Sequence, residues 1–198
     1  MSKVALGLAG AGGVAGTGAF AAYQGGLFST STVRETLTKE GYELVNTDEQ
    51  FKSFFTEFKS DGEFMKEVNK HKQAGETLEG DDGTKGKLAL KALCSSYLDS
   101  KDKLGNAIKW CVLRIKDKKP DGKNWITDDG GSDGADWKSA LTKSKAAMVS
   151  HGIEGISLDT QSDQDYSKIK DWCLKNKKLP INTKNKTTQR NVSSWCSK

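Results

Sequence analysis

The sequence predicts a mostly α-helical protein, with an N-terminal transmembrane or signal helix followed by a helical-bundle-like domain with long loops. Three observations carry that class. Apolar residues recur at three- and four-residue spacing along much of the chain, which puts them on one face of a 3.6-residue helix. No stretch alternates convincingly between apolar and polar residues, so no sheet is expected. Hydrophobic residues make up 35% of the 198, mean hydropathy is −0.64 and Pro occurs twice, which suits long helices with narrow apolar faces. The expected organisation is a membrane or export segment at 1–28, a linker at 29–46 and an α-helical extracytoplasmic domain at 47–198.

Residues 4–28 contain no charged side chain, and a helix needs about 20 apolar residues to cross a ~30 Å hydrocarbon core. The segment carries eight Gly and seven Ala against seven residues from Val, Leu and Phe, so its apolar character is weak for a lone helix. Its small residues form rows such as Gly12-xxx-Gly16 that let helices approach closely. Lys3 followed by Ala19-Phe20-Ala21 also fits a signal peptide cleaved before Ala22. A third reading is a dinucleotide fingerprint at Gly10, Gly12 and Ala15, with Glu35 as the distant acid. It requires a second strand within 24–35 and a parallel sheet beyond, and no such pattern follows. Anchoring in the cell membrane through 4–28, with the C-terminal domain outside, is therefore the expectation, and secretion is its alternative.

Past the linker, Thr47 and Gln50 form a capping-box pattern, with Asp48 and Glu49 in the first turn. Phe51, Phe54, Phe55 and Phe58 then make an amphipathic stripe, read as core. Asp61 caps a second helix bearing Phe64, Met65 and Val68. The loop at 79–87 resembles a P-loop only superficially, because Gly80 to Gly86 is one residue too long and Leu88 stands where Ser or Thr would hold Mg²⁺. Leu90, Leu93, Cys94, Tyr97 and Leu98 form the clearest stripe. Gly105 is expected to separate it from a helix bearing Ile108, Cys111, Val112 and Ile115. A Gly/Asp-rich loop occupies 117–136. Its Asp129-x-Gly131-x-Asp133-Gly134 run hints at a calcium loop but has Ala140 at the position of the bidentate Glu. Asp136 is expected to cap a helix with Trp137, Ala140, Leu141 and Met148. After a loop at 150–163, two more helices are expected near 164–177 and 184–196.

Three of the four cysteines follow a tryptophan, at Trp110-Cys111, Trp172-Cys173 and Trp195-Cys196. Ile169-x-x-Trp172-Cys173 and Val192-x-x-Trp195-Cys196 share a further apolar position, so each places an apolar residue, an indole and a thiol on one helix face. This reads as a reused packing element. Four cysteines behind an export segment permit a disulfide framework with three connectivities, the local one being Cys94 with Cys111 and Cys173 with Cys196. Four buried free thiols acting as small hydrophobes are the competing reading. No C-x₂₋₄-C spacing suggests zinc, and His71 and His151 stand far from any cysteine. No nucleophile with a paired base is indicated. No catalytic residue, metal or cofactor is expected.

Charge is unevenly placed. Residues 167–198 hold nine basic side chains and one acid, whereas 29–166 hold 21 basic and 25 acidic ones. Lys168, Lys170, Lys175, Lys177, Lys178, Lys184, Lys186 and Arg190 form a candidate patch for an anionic partner such as a surface glycan. Only three of the 31 basic residues are Arg, which argues against nucleic acid as the partner.

The Gly/Ala-rich run LGLAGAGGVAG, the (Ile/Val)-x-x-Trp-Cys units and the stretches KGKLALKALCSSYLDS and IKWCVLRI together resemble the uncharacterised paralogous protein families of haemotropic mycoplasmas. That resemblance covers the chain end to end. It implies a surface-exposed or secreted protein used for host interaction or antigenic variation, and it brings no catalytic residues with it.

Overall fold

The computed structural model describes residues 31–198, which form eight α-helices and no strands. The helices are α1 (Val33–Lys39), α2 (Asp48–Phe58), α3 (Gly62–Val68), α4 (Gly86–Asp99), α5 (Leu104–Cys111), α6 (Ala135–Ser150), α7 (Ser162–Asn176) and α8 (Lys186–Trp195). Segment 4–28, with its membrane and nucleotide readings, lies outside the described residues.

Local chemistry starts several of these helices. The Thr47 hydroxyl accepts the Gln50 N–H at 3.2 Å while the Gln50 side chain accepts the Thr47 N–H at 3.2 Å, a reciprocal box that satisfies two otherwise orphaned donors. The Asp61 carboxylate takes the N–H groups of Glu63 and Phe64 at 2.9 and 3.2 Å. Thr32 and Glu35 form a further box ahead of α1.

That last helix corrects the expected linker at 29–46. Val33 and Leu37 are 2% and 1% exposed, so α1 is part of the packed body. Seven residues with two apolar positions are too short for a periodic signal. Gly105 lies inside α5 rather than between helices. That helix stops at Cys111 instead of running to Ile115, because Val112 turns to extended backbone (φ −115°, ψ 136°) and joins a hydrogen-bonded seam. Asp136 sits within the first turn of α6, and the residue before that helix is Gly134 at φ 70°.

Helix α4 is the hub of the first half of the molecule and packs against α1, α2, α3 and α5. Its buried residues Leu90, Leu93 and Tyr97 meet Phe54, Phe55 and Phe64 in one core with Trp110. Phe64 stands edge-on to Trp110 at 5.5 Å, and Tyr97 stacks on the same indole at 6.2 Å. Such ring pairs each add about 1 kcal/mol to the area they bury. In the second half α6, α7 and α8 pack on one another around Trp137, Leu141, Ile169, Val192 and Trp195.

The two halves repeat one construction. Each begins with an extended segment, continues through a helix (followed in the first half by the additional α3) and a cysteine-bearing helix, and ends in a helix whose Trp-Cys leads back to pair with the opening segment. The registers coincide. Val45 N–H donates to the Cys111 carbonyl and Ile126 N–H to the Cys196 carbonyl, both at 2.9 Å. Leu113 donates to Glu43 at 2.8 Å as Lys198 donates to Asn124 at 2.9 Å. The antiparallel bridges Leu44 with Val112 and Trp125 with Ser197 are likewise equivalent. Trp110-Cys111 therefore corresponds to Trp195-Cys196, and Cys94 to Cys173. The shared Ile/Val-x-x-Trp-Cys spelling paired Trp172-Cys173 with Trp195-Cys196, but these occupy different places in one repeat.

The halves are sewn together by a closed ring of backbone hydrogen bonds. Leu113 donates to Glu43 at 2.8 Å, Glu43 to Ile181 at 3.1 Å and Ile181 to Leu113 at 2.8 Å. Beside this ring, Ile115 donates to Leu179 and Lys116 to Lys177, both at 2.9 Å. Arg114 clamps the same seam from outside. Its guanidinium bonds both oxygens of Glu57 at 2.6 and 2.7 Å and both oxygens of Asp117 at 2.8 and 2.9 Å. It lies 4.6 Å from the centre of the Phe54 ring, and its side chain is 12% exposed. Burial pushes the Glu57 carboxyl upward, but hydrogen bonds from Arg114 and Lys116 outweigh that and hold it below its ordinary value of 4.5.

Removing one member of a largely buried, fully bonded pair leaves the other uncompensated, so Arg114→Leu should lower stability by about 3 kcal/mol at neutral pH in urea denaturation. A carboxyl depressed in the folded state adds stability above its unfolded pKa, and that stability is lost as pH falls through the folded value. Glu57→Gln should accordingly flatten the acid limb of the stability profile below pH 4.5. An unchanged acid limb would refute this role.

Candidate functional site

All four cysteines form disulfides. Cys94 on α4 bonds Cys111 at the end of α5, with Cα atoms 5.6 Å apart, and Cys173 on α7 bonds Cys196 just past α8, at 5.8 Å. Of the three connectivities the composition allowed, the local one is present, and no cysteine is free. Each bridge ties the middle helix of a repeat to the residue that closes its seam, and all four residues are buried.

The tryptophans that precede Cys173 and Cys196 meet each other and a histidine. Trp172 and Trp195 approach to 5.2 Å, and His151 stands edge-on to Trp195 at 5.5 Å. His71 lies in the 3₁₀ turn after α3, far along the chain from that cluster. Among the described residues no three His, Cys, Asp or Glu side chains gather as a metal site. In the calcium-like run, Asp129 accepts the Thr127 hydroxyl and the Gly131 N–H. The Thr127 bond is the first cause of its lowered pKa, so this carboxylate organises a turn. Val33, Arg34 and Glu35, which fall in the strand a dinucleotide fold would need, are the first turn of α1, and Glu35 is engaged in the capping box.

The eight basic residues proposed as a patch do not form one surface. Lys177 is a correction: it is 7% exposed and its ammonium donates to the Ile126 carbonyl at 3.0 Å, with the Trp125 and Trp137 rings 5.2 and 5.4 Å away. Burial pushes its pKa down against the opposing effect of Asp128. This lysine ties the 118–131 loop to the end of α7. Lys168 pairs with Asp165 at 2.9 Å. On α7 Lys168 and Lys175 share a face, while Lys170 points roughly the opposite way. Lys178, Lys184 and Lys186 are exposed around the α7–α8 connection, and Lys186 shares a face of α8 with Arg190.

Of the eight, Arg190 lines a groove. That groove, about 320 Å³, lies between α8 and the loop at 118–123, and Lys118, Lys119 and Lys123 complete its basic wall. In sequence these three lysines sit in a stretch that reads as a Gly/Asp-rich loop. The run KDKKPDGK did carry the signal, but nothing local indicated that α8 would lie beside it. A smaller hollow beside the seam is lined by Glu43, Gln50 and Asp117.

No helix among the described residues is long and apolar enough to cross a membrane. No family model, curated protein or solved structure matches the chain.

A cross-link joining residues 17 or 23 positions apart removes about 3 kcal/mol of unfolded-state entropy. Cys94→Ala/Cys111→Ala and Cys173→Ala/Cys196→Ala should each lower unfolding free energy by about that amount. Urea titration of the two double variants checks it, and a loss under about 1 kcal/mol in either would show that packing alone holds that repeat.

Proposed function

We propose that this protein is a non-catalytic interaction module displayed outside a membrane, anchored through residues 4–28. One observation carries the reading: every cysteine is spent in a buried bridge, and the two bridges occupy the same place in two repeated units. Disulfides used this way belong to oxidising, extracytoplasmic surroundings. The uncharged segment 4–28 supplies the means of export, and the resemblance to paralogous surface families agrees with display to a host. The body offers rigid helices joined by long exposed loops, the arrangement of a scaffold that presents surface.

Two measurements starting from intact cells test it. A thiol probe added as the cells are dissolved in denaturant should label no cysteine before reduction and all four after it, and full-length protein should partition into the detergent phase. Four thiols labelled without reductant would overturn the oxidising location, and full-length protein in the aqueous phase would overturn the anchor. A mature chain beginning at Ala22 would replace anchoring with secretion.

A further inference from the structure

The basic groove contrasts with the paired cations of the helical body in how its charges are met. Arg114 is neutralised by two carboxylates, Lys109 by Asp61 and Glu63 at 3.1 and 3.2 Å, and Lys198 by Asp136 at 2.6 Å. In the groove, Lys118 is held by Glu43 at 2.9 Å, but Lys119, Lys123 and Arg190 make no ion pair among the described residues. Asp121 is the only acid in the lining. Matching cations unpaired across a concave surface raises its positive potential well above that of the same charges on a flat one.

The repeat makes the contrast specific. Aligning Trp110 with Trp195 sets Lys109 of α5 at the position of Ser194 on α8, and Gly105 at that of Arg190. The first unit thus carries one neutralised cation on this face. The second carries an unpaired guanidinium beside the hydroxyls of Ser193 and Ser194.

We propose that this groove binds a sulfated glycan chain. The guanidinium of Arg190 matches the paired oxygens of a sulfate, and the flanking ammoniums serve as point charges for its neighbours. Ser193, Ser194 and Gln189 lie along the same wall and supply the neutral donors and acceptors that sugar hydroxyls require. Nucleic acid fits less well, because single-strand binding draws on aromatic faces for stacking and no aromatic side chain lines the groove. The location outside the membrane bears only on access to such a polymer, so binding by purified protein and thiol state on cells fail independently.

Purified, oxidised full-length protein titrated calorimetrically with a short heparin-derived oligosaccharide tests the assignment. Lys119→Gln/Lys123→Gln/Arg190→Gln should weaken binding at least about tenfold. The charge-matched control Lys170→Gln/Lys178→Gln/Lys184→Gln should change it by less than about twofold, as expected for diffuse, screened charge. Arg190→Gln alone, an exposed single change, should give a clear part of the loss. Ser193→Ala/Ser194→Ala should weaken binding without altering its salt dependence. Equal losses in the two triple variants, no binding at low salt, or equally tight binding of single-stranded DNA would each overturn the proposal.

Discussion

At Leu113, Glu43 and Ile181 each residue donates its amide proton to the carbonyl of the next, closing a ring among three segments that are distant in sequence. Leu113 and Ile181 are buried, so an opened ring would strand amides with no water to replace the lost partner, at about 1–3 kcal/mol for each. The ring is where the opening segment of the first repeat, its closing segment and the linker between α7 and α8 meet. Helix α5 ends where it does because Val112 and Leu113 are needed there in extended form.

Around that ring the two repeats reach the same closure by different side chains. The first packs phenylalanines from α2 and α3 against Trp110. The second relies on Trp137, Trp172 and Trp195 together with Leu141, Ile169 and Val192. The indole N–H groups of Trp110 and Trp137 are buried without a hydrogen-bond partner among the described residues, and each such omission costs about 1–3 kcal/mol. Shape and ring contact override polarity at these two positions. A disulfide at the same point of each repeat secures a body whose apolar content is low for its length.

Charge follows a second logic. In the first repeat Arg114 and Lys109 are tied to acids of α2, α3 and the seam. The second leaves several lysines and Arg190 facing solvent. The chain-level count of a basic C-terminal stretch is thus real, but its meaning changes on folding. Lys177 disappears into the interior, where an indole pair and a carbonyl replace water, and the residues that line the groove with Arg190 come from the lysine-rich start of the loop at 117–136.

Helix starts at Thr47 and Asp61, the phenylalanine stripe of α2 and the stripe of α4 were legible in the sequence because each depends on residues within one or two turns. The Trp-Cys spelling likewise betrayed a reused element. Its true alignment was hidden, since equivalence is set by which carbonyl meets which amide across the seam and not by the letters around each cysteine. Residue 33 and its neighbours passed as linker because α1 owes its place to packing on α4. By itself, then, the sequence determined the helical class, most helix boundaries and the cysteines available for bridging. Only the tertiary structure decided the pairing of those cysteines, the closed amide ring, the burial of Lys177 and the meeting of Arg190 with Lys118, Lys119 and Lys123. Each of these joins residues whose contact depends on how whole units dock, and no local preference encodes that distance.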